Sequence, residues 1–90
     1  MDYLLPSQID EVTDTLYDVG LDYKVEYPSY QGGVGEAKLI HVLGLDSDIA
    51  IALANRNSYM IVEDRYDVLY DGLRIDALRG VLVRFADGEI

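Results

Sequence analysis

The chain has 90 residues, 17 acidic side chains against 7 basic ones, no cysteine and a formal charge of -10. A disulfide framework, thiol catalysis and a structural zinc site of the usual kind are therefore excluded, and so strongly negative a field disfavours DNA, RNA or an anionic membrane as a direct ligand. A chain of this length forms one domain and, by area scaling, buries about 64% of its unfolded surface; a hydrophobic share of 50% argues against a disordered acidic tail.

The first element is a helix over residues 7–19. Ser7 can cap it, with Asp10 three residues on. Ile9, Val12, Leu16 and Val19 then form one apolar face, and Gly20 supplies a left-handed stop. The period next changes to 2. Leu21, Tyr23, Val25 and Tyr27 alternate with Asp22, Lys24 and Glu26, which reads as a half-buried strand with Tyr23 and Tyr27 toward the core. Pro28 ends it, and residues 28–35 form a loop by composition.

Residues 36–43 read as a second strand, antiparallel to the first. Both of its faces are largely apolar, as expected for a central strand. Residues 48–56 read two ways. Ile49 and Ile51 alternate like a buried strand, whereas three alanines favour a short helix capped by Ser47 or Asp48. Helix is the expectation here. Residues 55–58 are turn chemistry, and residues 59–63 are a strand. Asp71-Gly72 is the strongest hairpin signal, between strands at 67–70 and 73–75.

Leu78, Val81, Leu82 and Phe85 give a last helix at i, i+3, i+4 and i+7, with Asp76 as N-cap. Gly80 within it costs about 1 kcal/mol against alanine. It also admits a strand with Val81, Val83 and Phe85 on one face. The whole reads as α+β in a single domain over residues 1–90. It comprises an N-terminal helix, an antiparallel sheet of about four or five strands and a C-terminal helix.

Motifs with chemistry are scarce. The loop at residues 32–38 superficially resembles a phosphate-binding loop. Glu36 stands where that loop needs lysine, and a strand follows instead of a helix. Asp46-Ser47-Asp48 resembles the opening of a calcium loop. The required glycine and glutamate positions hold Ile51 and Asn57. His41, the sole histidine, lies between Leu39 and Leu43 at strand spacing and suits a hydrogen-bonded structural role. No catalytic residue, metal ligand or cofactor is assigned.

Charge placement carries more. Asp2, Asp10, Glu11, Asp14, Asp18 and Asp22 all precede the first basic residue, Lys24. Asp10, Asp14 and Asp18 recur every four residues, so they line one flank of the first helix at a rise of about 6 Å. Asp18 also meets the negative end of the helix dipole. A second group, Glu63, Asp64, Asp67 and Asp71, is interleaved with Tyr66 and Tyr70 near Arg65. Eight tyrosines and no tryptophan suit an interface, with Tyr3, Tyr30, Tyr66 and Tyr70 as surface candidates.

The expected function is a small acidic protein-binding module, an inhibitor or regulator. It would engage the basic, nucleic-acid-binding surface of a partner protein by electrostatic mimicry, as phage or viral anti-defence proteins do. The candidate partner-binding residues are Asp10, Glu11, Asp14, Asp18, Asp22, Tyr30, Glu63, Asp64, Tyr66, Asp67, Tyr70 and Asp71. The alternative is a non-catalytic structural or assembly subunit of a virion or multiprotein complex, homo-oligomeric in one form. Two lysines against five arginines, and 12 aspartates against 5 glutamates, also fit halophilic acidity. A small enzyme or ligand-binding domain rests on no constellation. Met1-Asp2-Tyr3 lacks a basic n-region, so the cytoplasm is the expected compartment, that of the host for a viral protein.

Overall fold

The computed structural model describes residues 3–29, 35–64 and 67–90. Its order is α1 (Pro6–Asp18), β1 (Asp22–Glu26), β2 (Leu39–Leu43), β3 (Ile49–Asn55), β4 (Ser58–Glu63), β5 (Asp67–Leu73) and α2 (Ile75–Ala86). The strands form one antiparallel sheet in chain order, β1-β2-β3-β4-β5. This is the α+β architecture expected from the sequence.

Helix α1 starts two residues earlier than its hydroxyl suggested. Leu5 is the N-cap, Pro6 takes the first helical position, and the Gln8 side chain accepts the Leu5 N–H at 2.8 Å. Proline is preorganised for that position, and glutamine at N3 supplies half of a capping box, so Ser7 lies inside the helix. Ile9, Val12, Thr15 and Leu16 are its buried residues. The helix closes with Gly20 N–H to Tyr17 O and Leu21 N–H to Leu16 O. That Schellman pattern needs the positive φ of Gly20, +82°. The same pair of bonds ends α2, from Gly88 to Phe85 and from Glu89 to Arg84.

Residues 49–55 are a strand, which corrects the expected helix. Ile49, Ile51 and Leu53 point to the helix side of the sheet, and Ala50 and Ala52 to the other. β3 pairs with β2 on one side and β4 on the other. Alternating isoleucines and two ladders outweigh alanine's helix propensity, which is a weak prior.

The Asp71-Gly72 hairpin is also absent. Residues 67–73 run as one strand along β4, with Val62 opposite Val68, Ile61 opposite Tyr70 and Tyr59 opposite Leu73. A type I′ turn needs positive φ at both central residues. Here Gly72 alone has it, at +68°. It serves one of two register shifts in β5, the geometry of a glycine bulge. Helix α2 begins at Ile75, with Arg74 as N-cap and Asp76 in the first turn.

Both helices lie on one face of the sheet. Val12 and Leu16 of α1 and Leu78, Leu82 and Phe85 of α2 bury against Ile40, Val42, Ile49, Ile51 and Ile61. Leu4, fully buried, ties the N-terminal segment to the sheet through two backbone bonds with Ala37, 2.8 and 2.9 Å long. A smaller apolar layer of Leu39, Ala50, Ala52 and Val62 occupies the other face. Among the described residues no helix is long and apolar enough to cross a membrane.

Two substitutions test this packing by chemical denaturation. Ile51→Ala should cost about 2–5 kcal/mol, because the side chain is fully buried between sheet and helices. Gly80→Ala should stabilise by about 0.5–1 kcal/mol, since a Cβ there meets nothing within 4 Å.

Candidate functional site

The topology sorts charge by end. In an antiparallel meander, the start of β1, the β2–β3 turn and the β4–β5 turn lie at one end, as the pairs Asp22–Leu43, Ile49–Glu63 and Glu63–Asp67 show. Helix α1 runs toward this end, since Gly20 leads directly into β1. Helix α2 also runs toward it, and Phe85, Ala86 and Gly88 line a hollow with Gly44, Leu45 and Asp46.

Nine acidic residues therefore gather at this end: Asp18, Asp22, Asp46, Asp48, Glu63, Asp64, Asp67, Asp87 and Glu89. All except the half-buried Glu63 are exposed. Arg79, which pairs with Asp18, Arg84 in the last turn of α2 and Lys24 within β1 are the cations nearby among the described residues. Both helices add their negative dipole ends. Asp64 turns the chain with a positive φ of 53°, and its backbone N–H donates to Asp48 O at 3.1 Å. Aspartate is among the few residues that tolerate that conformation. Among the described residues, no three of these carboxylates converge where they could hold a metal ion.

The expected stripe on α1 is divided. Asp10 and Asp14 are exposed and, among the described residues, carry no ion pair. Asp18 meets Arg79 of α2 at 3.5 Å, with side chains 60% and 48% exposed. A pair so open to water is worth at most about 1 kcal/mol. Glu11 turns inward and accepts the Tyr59 hydroxyl at 2.7 Å. It thus helps to join α1 to the sheet. The second group divides too. Glu63, Asp64 and Asp67 share the β4–β5 turn, while Asp71 lies four residues along β5.

The tyrosines correct several expectations. Tyr70 is half-buried against the core and is not a surface residue. Tyr23 and Tyr27 are 41% and 55% exposed, Tyr23 on the outermost strand of the sheet and Tyr27 just beyond its end. Tyr17, which helical spacing alone places next to Asp18, is the most exposed large apolar side chain described, at 80%. Its wheel position, about 140° from Val12 and about 80° from Ile9, was the available signal. Tyr30 and Tyr66 lie outside the described residues.

His41 has the structural role expected of it, since its Nε2 lies 2.8 Å from Glu26 Oε1 across the β1–β2 pair. At the opposite end a polar cleft joins the two helix starts. Gln8, Glu11, Arg56, Tyr59, Arg74 and Asp76 line it, and the Gln8 Nε2 donates to Arg56 O at 3.1 Å. Burial, and then the hydrogen bond to Glu11, push the Tyr59 phenol far above its usual value.

That shift fixes a pH dependence. A phenol whose folded pKa is raised contributes stability in full below its unfolded value of about 10. The contribution is lost as pH rises through the higher folded value. Tyr59→Phe should therefore cost about 0.5–1.5 kcal/mol at neutral pH. Spectrophotometric titration should show that the tyrosine removed in Tyr59→Phe is one that ionises only after unfolding. Equal absorbance change per mole of protein below the unfolding transition is expected of parent and variant.

The chain matches no protein-family model, no curated protein and no solved structure.

Proposed function

We propose that this is a small, non-catalytic, acidic protein-binding module whose acidic end and α1 ridge engage the basic, nucleic-acid-binding surface of a partner protein. The observation that supports this reading is the gathering of nine carboxylates from separate chain segments at one end. Like charges held together, with two helix C-termini aimed at them, oppose folding through self-repulsion. A surface kept at that cost suits a function that needs it. Asp10 and Asp14 extend the field along α1 at a rise of about 6 Å, close to the spacing of phosphates. Complementary fields speed association and exclude acidic competitors. Inhibition or regulation follows from occupying a groove that nucleic acid would otherwise fill.

The test is capture of basic, nucleic-acid-binding proteins from a host lysate at about 50 mM and about 500 mM salt, with added DNA as competitor. Capture at low salt, lost at high salt and reduced by DNA, is expected. Asp10→Asn/Asp14→Asn and Asp46→Asn/Asp48→Asn/Asp67→Asn should each weaken it by about tenfold or more. Capture that ignores salt, DNA and both variants would contradict mimicry.

A further inference from the structure

The sheet has two free edges of different character. β5 is guarded by two register shifts, by Gly72 with its positive φ, and by the exposed Asp67 and Asp71. Bulges and charges of this kind turn an edge away from further pairing. β1 has no such break. It pairs with β2 in continuous register from Asp22–Leu43 to Glu26–Leu39. It contains neither glycine nor proline. Among the described residues, nothing pairs with its outer side.

Helix α1 sits above this edge. Its far flank is occupied by the contacts of Glu11 with Tyr59 and of Asp18 with Arg79. At 100° per residue, Thr13 and Tyr17 then fall on the flank beside β1. Tyr17 is 80% exposed, Tyr23 stands exposed on the helix-side face of β1, and Tyr27 is exposed just beyond its end. Exposed Asp14 and Asp22 flank this edge, while Asp18 faces Arg79. The edge therefore offers unpaired backbone, aromatic faces and carboxylates together.

We propose that the outer edge of β1 receives an extended basic segment of the partner protein as a sixth strand. The occupant is set by charge complementarity. Its lysine or arginine side chains would meet Asp14 and Asp22 and lie against the tyrosine rings. A second copy of this chain fits poorly. Full antiparallel overlap of two β1 strands, centred on Lys24, sets lysine opposite lysine and Asp22 opposite Glu26, and like charges directly opposite are destabilising. This inference rests on the reading that the partner is basic.

The probes are a nine-residue peptide alternating lysine and valine and the same peptide with each valine replaced by proline. Charge is equal, but proline cannot donate to a ladder. The readouts are affinity and amide hydrogen exchange at Asp22–Glu26. The alternating peptide should bind more tightly, slow exchange at alternate β1 amides and lose about three- to tenfold in affinity with Tyr17→Ala. Equal binding of both peptides with β1 exchange unchanged would overturn strand addition and leave electrostatic binding standing. Protection of β1 that grows with protein concentration alone would assign the edge to a second copy and overturn the proposal. Failure of both peptides and of basic proteins to bind at low salt would overturn the functional reading itself.

Discussion

An odd number of strands governs the electrostatics of this molecule. A meander of five strands returns the chain to the end opposite its entry. Helix α1 finishes where β1 starts, and α2 starts where β5 finishes, so the two helices run in the same sense. Packed on one face, they add their dipoles instead of opposing them. Both negative ends then point at the end that holds both turns rich in aspartate. With an even number of strands, α2 would run the other way and bring its positive end to those carboxylates.

The apolar side follows the same plan. Large residues of β3 face the helices and its alanines, Ala50 and Ala52, face away beside Leu39 of β2 and Val62 of β4. The helices cover one face of the sheet and leave its two outer edges to other devices. β5 is bulged and acidic, while β1 is regular and flanked by tyrosines. Burial of Tyr59 beneath α1 places its hydroxyl on Glu11 and so couples one member of the acidic series to the core. The first helix therefore presents two kinds of carboxylate. Glu11 holds the fold, and Asp10 and Asp14 are open to solvent.

Much of the fold was legible in the residues. The 3.6 period in α1 and α2, the alternation in β1 and the turn chemistry at residues 55–58 each named their element. Where local signals conflicted, pairing decided. The alanines of β3 suggested helix, yet β2 and β4 each needed a partner there. Asp71-Gly72 suggested a hairpin, yet β4 offered Tyr59 and Ile61 as continuing partners. The α1 ridge was legible because spacing within a helix is local. The acidic end was not. Asp22, Asp46, Glu63 and Asp87 meet only through strand count and register, which no window of sequence contains. Tyr23 and Tyr27 had the parity of core residues, but on the outermost strand and just past its end only Leu21 and Val25 of that series pack against the core.

The central claim is that the acidic end is a repulsive surface retained for binding. Its most direct test is the folding stability of Asp46→Asn/Asp48→Asn/Asp64→Asn/Asp67→Asn, measured by denaturation in about 10 mM salt, where charges interact out to about 30 Å before screening. The account predicts a variant more stable than the parent, with the difference shrinking as salt is raised to about 1 M. A variant less stable than the parent at low salt would show that these carboxylates hold the fold together, and would contradict the claim.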